Sequence, residues 1–172
     1  MPEQQHLVLI GLMAAGKSVV GRQLAARLRL PYVDTDQLVV AEHGPIPEIF
    51  ARHDESFFRR AEARAVAGAL ASPVRSVISL GGGAVLDSGT AKLLAQATVV
   101  FLDTDLATVL PRISRTAHRP LLAGDPAARW TALAEVRRPI YESLADIVID
   151  SRGLSVAEVV ERITAALAEG EH

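Results

Sequence analysis

A lysine and a serine close the tract Gly11-Leu-Met-Ala-Ala-Gly16-Lys17-Ser18, and the spacing G-x-x-x-x-G-K-S is that of a loop that wraps a phosphate chain. Its backbone N–H groups and the N-terminus of the next helix can face phosphate oxygens, the ammonium can bridge them, and the hydroxyl can ligate Mg²⁺. The apolar run Leu7–Ile10 precedes the tract and a helix-like stretch follows it, which is the setting such a loop requires. The pattern predicts a user of ATP or GTP, with Ala14, Ala15, Gly16, Lys17, Ser18 and Val19 around the nucleotide and Ser18 on the metal. Of eighteen basic residues only Lys17 and Lys92 are lysines, so Lys17 does not belong to a crowd of surface lysines. Ala14 raises an alternative: either its backbone is right-handed or extended, or a left-handed turn costing ~1–2 kcal/mol weakens phosphate binding.

Further groups of the right chemistry follow along the chain. Asp34-Thr35-Asp36 ends an extended run, so both carboxylates fall on one side. Asp34 suits Mg²⁺ through water, and Asp36 suits orienting or deprotonating an attacking hydroxyl; alternatively Asp36 caps a helix starting near Gln37. Phe58-Arg59-Arg60-x-Glu62 places a guanidinium fork on a helix, suited to a carboxylate, or else forms a solvated face with loose ion pairs. Gly81, Gly82 and Gly83 end another extended run and either admit a ligand close to the backbone or form a bare turn. Arg112, Arg115 and Arg119 lead into a Pro/Gly-bounded segment with the profile of a mobile lid over phosphates, about residues 113–126, or of an ordinary surface loop. Arg137-Arg138-Pro139-Ile140-Tyr141 offers a second arginine for a carboxylate clamp, with Pro139 expected to bend its helix.

The elements that must position these groups alternate. Short β-branched runs at Leu7–Ile10, Tyr32–Asp34, Ser76–Leu80, Thr98–Leu102 and Ile147–Ile149 are separated by helical-period segments. Those segments are Lys17–Leu28, Pro47–Arg52, Ser56–Leu70, Gly89–Gln96, Asp105–Arg115, Pro126–Leu144 and Ser155–Glu169, the last with a Ser155/Glu158 capping box. The βαβα order predicts an α/β fold with a parallel sheet covered on both faces. Ligands then collect at the carboxyl ends of the strands.

Bulk properties narrow the function. At 172 residues and 49% apolar content the chain fits one domain, 1–172, with a core that needs no staple. With no cysteine it has neither disulfides nor a thiol nucleophile, which fits a cytoplasmic setting. No apolar run reaches the ~20 residues of a membrane span, and no signal peptide is evident. A net charge of −2 and 4% aromatics give no reason to expect nucleic acid. The five histidines lack metal-ligand spacing. No exposed apolar stripe is obvious, so a monomer is expected.

Taken in order and spacing, the phosphate loop, Asp-Thr-Asp, Phe-Arg-Arg-x-Glu, Gly-Gly-Gly, Arg-Pro-Leu-Leu and Arg-x-Pro-x-Tyr tracts resemble shikimate kinase from about residue 7 to 168. The resemblance implies a three-layer α/β/α P-loop kinase fold with a five-stranded parallel sheet and a mobile lid. It implies transfer of the ATP γ-phosphoryl group to the 3-hydroxyl of shikimate in aromatic amino-acid biosynthesis. Lys17 and Ser18 then contact phosphates and Mg²⁺, Asp34 belongs to the metal environment, and Asp36 holds substrate hydroxyls and acts as base. Arg59 and Arg137 match the pair that grips the shikimate carboxylate, beside the amides of Gly81 to Gly83. Arg119 matches the lid arginine, Arg112 the one near adenine, and Arg152 is assigned to flank adenine too. Two tracts depart from the pattern: Ala14 replaces a loop glycine, and Gly44–Phe50 is one residue short before Ile46. A kinase for gluconate or another small hydroxy acid, and a catalytically quiet ligand-binding module, are the alternatives.

Overall fold

The computed structural model describes residues 5–115 and 124–170. Five strands, β1 Leu7–Ile10, β2 Tyr32–Asp34, β3 Val77–Ser79, β4 Thr98–Asp103 and β5 Ile147–Asp150, form one parallel sheet in the order β2-β3-β1-β4-β5. Central β1 pairs Val8 with Ile78 on one side and with Val99 on the other.

Successive side chains of a strand point to opposite faces, and both faces are covered here. Leu7 and Leu9 pack with Val20 and Leu24 of α1 (Lys17–Leu28) and Val160 and Ile163 of α8 (Val156–Glu169). Val8 and Ile10 pack with Val66 of α4 (Glu55–Ala71), Val109 of α6 (Leu106–Arg115), and Trp130 and Tyr141 of α7 (Pro126–Leu144). All four β1 side chains are at most 1% exposed, and each stabilises the fold by about 1.5–3 kcal/mol relative to an exposed position. The result is the expected three-layer α/β/α arrangement.

Two further helices, α2 (Thr35–His43) and α3 (Ile46–Arg52), project from the sheet and bury a small core with α4: Val39, Ile49, Phe58 and Ala61. The sequence offered a helix near Gln37 only as the alternative to a catalytic Asp36, and α2 starts two residues before that, at Thr35. Only Gly44 and Pro45 separate α2 from α3, and Gly44 makes that turn with φ 90°. The shortened tract therefore starts α3 at Ile46, one residue before the expected Pro47. The predicted 89–96 helix divides into α5 (Ser88–Leu93) and a 3₁₀ turn, Leu94–Gln96. Pro139 lies inside α7, which runs on to Leu144. Of the expected capping box, the Ser155 hydroxyl accepts from the Glu158 amide at 3.1 Å.

Because every strand runs the same way, the loops after β1, β2 and β3 open at one edge of the sheet, and most of the predicted site lies there. Most of the proposed lid, Arg119 included, lies outside the described residues.

Candidate active site

The loop after β1 is built to receive an anion. Gly16, left-handed at φ 93°, starts α1, and no side chain caps that helix, whereas Asp34, Asp54, Asp87, Asp125 and Ser155 cap α2, α4, α5, α7 and α8. The amides of the first turn of α1 are thus left to a ligand. Lys17 is only 9% exposed, and its ammonium donates to Gly11 O at 2.6 Å and Leu12 O at 2.9 Å, folding it over the loop. Ala15 donates its N–H to Leu12 O at 3.2 Å, inside the loop. Ala14 takes the strained alternative, with φ 66°. Two long side chains grip the loop there: Arg112 Nη1 donates to Ala14 O at 2.7 Å, and Trp130 Nε1 to Met13 O at 3.1 Å.

Asp34 divides its two oxygens. Oδ1 caps α2, accepting from the amides of Asp36 at 3.0 Å and Gln37 at 3.3 Å, while Oδ2 accepts from Ser18 Oγ at 3.1 Å. The cap is therefore Asp34 and not Asp36, because α2 begins two residues earlier than the sequence suggested. A hydroxyl and a carboxylate oxygen converging at the head of α1 form a hard donor set that fits Mg²⁺. No cluster of three or more His, Cys, Asp or Glu side chains able to hold a metal occurs among the described residues, so a cation here would complete its shell from phosphates and water.

Of the three glycines after β3, Gly81 and Gly83 make room for charged side chains, while Gly82 has space for a Cβ. A Cβ on Gly81 would stand 2.6 Å from Asp36 Oδ1 and 2.7 Å from Glu62 Oε2. One on Gly83 would overlap the Arg59 guanidinium, and one on Gly82 would lie 3.5 Å from Arg137 Nη1. Arg59 is held by Glu62 at 2.9 Å and Glu55 at 3.4 Å, which fixes the direction of its fork. Glu62, 2% exposed, is pushed above the ordinary glutamate range by burial, against the opposing pull of Arg59. Arg137 is 4% exposed, and its Nη1 is buried without a hydrogen-bond partner among the described residues. An unpaired buried guanidinium nitrogen is costly, and a carboxylate arriving beside Gly82 would satisfy it. Tyr141 braces the turn by donating to Gly82 O at 2.5 Å, and burial pushes its hydroxyl up to about 12.

These groups line two joined cavities. One, about 530 Å³, is bounded by Ala14, Gly16, Lys17, Ser18, Val19 and Arg112; the other, about 310 Å³, by Arg59, Glu62, Gly83, Arg137, Ile46, Phe50 and Phe58. Met13, Ser18, Asp34, Asp36, Gly81 and Gly82 line both. Arg152 does not line either cavity; it is exposed and chelates Asp150, whose carboxyl it holds down at about 2. Sequence reasoning missed Glu62 as more than a loose surface partner, and gave Met13 and Trp130 no structural part in the site. The spacing of Arg59 to Glu62, three residues apart on one helix, was the available signal for the first.

A family model described as shikimate kinase matches residues 13–168. The chain is 44% identical to a shikimate kinase of Frankia casuarinae over 94% of its own length and 72% of that protein. It is 44% identical to a shikimate kinase of Rhodococcus jostii over 94% of its length and 97% of that protein. Among solved structures, the shikimate kinase of Acinetobacter baumannii in complex with shikimate superposes with a TM-score of 0.93, at 28% identity over 98% of this chain and 95% of that one.

Proposed function

The chain belongs to the shikimate kinase family, and from this we propose that it transfers the γ-phosphoryl group of ATP to the 3-hydroxyl of shikimate, a step of aromatic amino-acid biosynthesis. The observation that carries the reading is the junction of the two cavities, where one carboxylate, Asp36, faces both a phosphate loop and a pocket lined by arginines.

In this reading the nucleotide phosphates lie along Ala14 to Val19, with Lys17 bridging them and Arg112 toward the base. Shikimate places its carboxylate between Arg59 and the unpartnered Nη1 of Arg137, beside the Gly81 to Gly83 backbone, with its ring against Phe50 and Phe58. That orientation brings a ring hydroxyl to Asp36, which takes its proton as the oxygen attacks the γ-phosphorus and the bond to ADP breaks. Ser18 and Asp34 would hold Mg²⁺, which when bound neutralises phosphate charge. Arg119, in the lid assignment, neutralises charge on the transferring group. The chain acts as a monomeric, single catalytic domain in the cytoplasm, without nucleic acid; no described helix is long and apolar enough to cross a membrane.

ADP release with ATP and Mg²⁺ tests the reading, comparing shikimate, quinate, gluconate and no acceptor. Shikimate-dependent turnover is expected. Turnover with gluconate alone would move the chain to a different acceptor, and shikimate binding without turnover would make it a quiet ligand-binding module.

A further inference from the structure

Ala14 and Arg29 are the non-glycine residues with positive φ among those described. Arg29 is the C-cap of α1, where a left-handed residue satisfies the helix carbonyls. Ala14 has no such local reason, and the alanine methyl opposes the conformation it adopts.

The reason comes from α6 and α7. The peptide plane before Ala14 carries Met13 O, gripped by the Trp130 indole at 3.1 Å, and the plane after it carries Ala14 O, gripped by Arg112 at 2.7 Å. Fixing the planes on both sides of one Cα fixes its φ and ψ. Trp130 is 2% exposed within the sheet's core, so its ring cannot follow the loop if the loop relaxes. In a trans peptide the N–H points opposite to the C=O, so the grip on Met13 O turns the Ala14 N–H away from the core. Ala14 itself lines the nucleotide-side cavity, and Trp130 does not.

We propose that Trp130 is a positioning residue for nucleotide binding: its indole N–H holds the phosphate loop in a left-handed turn that alanine at position 14 would otherwise leave. This deepens the reading given above and rests on it.

The test is a cycle of full-length variants, W130F, A14G and A14G/W130F, titrated calorimetrically with ADP and Mg²⁺ and separately with shikimate. Phenylalanine keeps most of the ring and removes the N–H. W130F is expected to weaken ADP binding about five- to tenfold, the scale of one hydrogen bond. Shikimate affinity should stay within about twofold in W130F. In the A14G background, where the left-handed turn is unopposed, the same change should cost less than about twofold. A purely structural role would weaken both ligands alike in both backgrounds, and that result, or unchanged ADP affinity in W130F, overturns the proposal. If W130F does not fold, 3-benzothienylalanine at position 130 removes the N–H at nearly constant shape and is held to the same outcomes. A parent chain that binds no ADP would overturn the functional reading and this proposal with it; a parent that binds and a cycle that shows no coupling overturns this proposal alone.

Discussion

A side chain on Gly81 would begin 2.6 Å from Asp36 Oδ1, so the bare backbone of one residue is the wall against which the other's carboxylate rests. Gly81→Ala is expected to displace Asp36 and Glu62 together and to lower kcat by about 100-fold, the usual scale for an ångström-sized misplacement. Gly81 has no positive φ, so the loss would not come from backbone strain. Steady-state ADP release checks it, and a kcat equal to the parent's would refute the packing argument.

Lys17→Ala and Asp36→Asn are each expected to remove most turnover, about 10²–10⁴-fold in kcat, while circular dichroism shows an intact fold. The lysine's ammonium bonds two loop carbonyls, so its loss should leave both sheet faces packed. Parent-like rates in either variant would overturn the assigned roles.

The arginines should separate the two substrates. Arg59→Ala or Arg137→Ala is expected to raise the KM for shikimate at least about tenfold, the scale of a lost hydrogen bond to a charged group, and to change the KM for ATP much less. Equal changes in both would contradict the carboxylate clamp.

Glu62 gives a pH signature. Burial raises its carboxyl in the folded chain, so the unfolded chain releases this proton first as pH rises. Stability from this group is therefore present below the unfolded value and lost as pH climbs to the raised folded one. Thermal denaturation should show Glu62→Gln at least as stable as the parent at pH 7, with the gap closing as pH falls into the ordinary carboxylate range. Shikimate affinity should nevertheless drop, because Arg59 loses its partner at 2.9 Å. A Glu62→Gln variant less stable than the parent at pH 7 would contradict the direction assigned to Glu62.

The strands were legible because parallel strands buried on both faces are nearly unbroken apolar runs, as in Leu7–Ile10. Helices with clear period were equally plain, as in Lys17–Leu28. The start of α2 was hidden because Asp34-Thr35-Asp36 reads as the end of a strand, and a cap two residues upstream is a matter of backbone geometry. The glycines after β3 could be seen, but their reason could not, since Asp36, Arg59, Glu62 and Arg137 come to them from three different helices. Trp130 is 117 residues from Met13 in sequence, and no local pattern announces that contact.

Trp130 is the chain's single tryptophan, and its ring nitrogen is bonded directly to the phosphate loop. Indole emission responds to what its N–H is bonded to, so the protein carries an intrinsic optical reporter at the one segment a nucleotide must engage. Ligand binding at the loop is therefore expected to register as a change in ultraviolet emission in plain buffer, with no dye, coupled enzyme or engineered label.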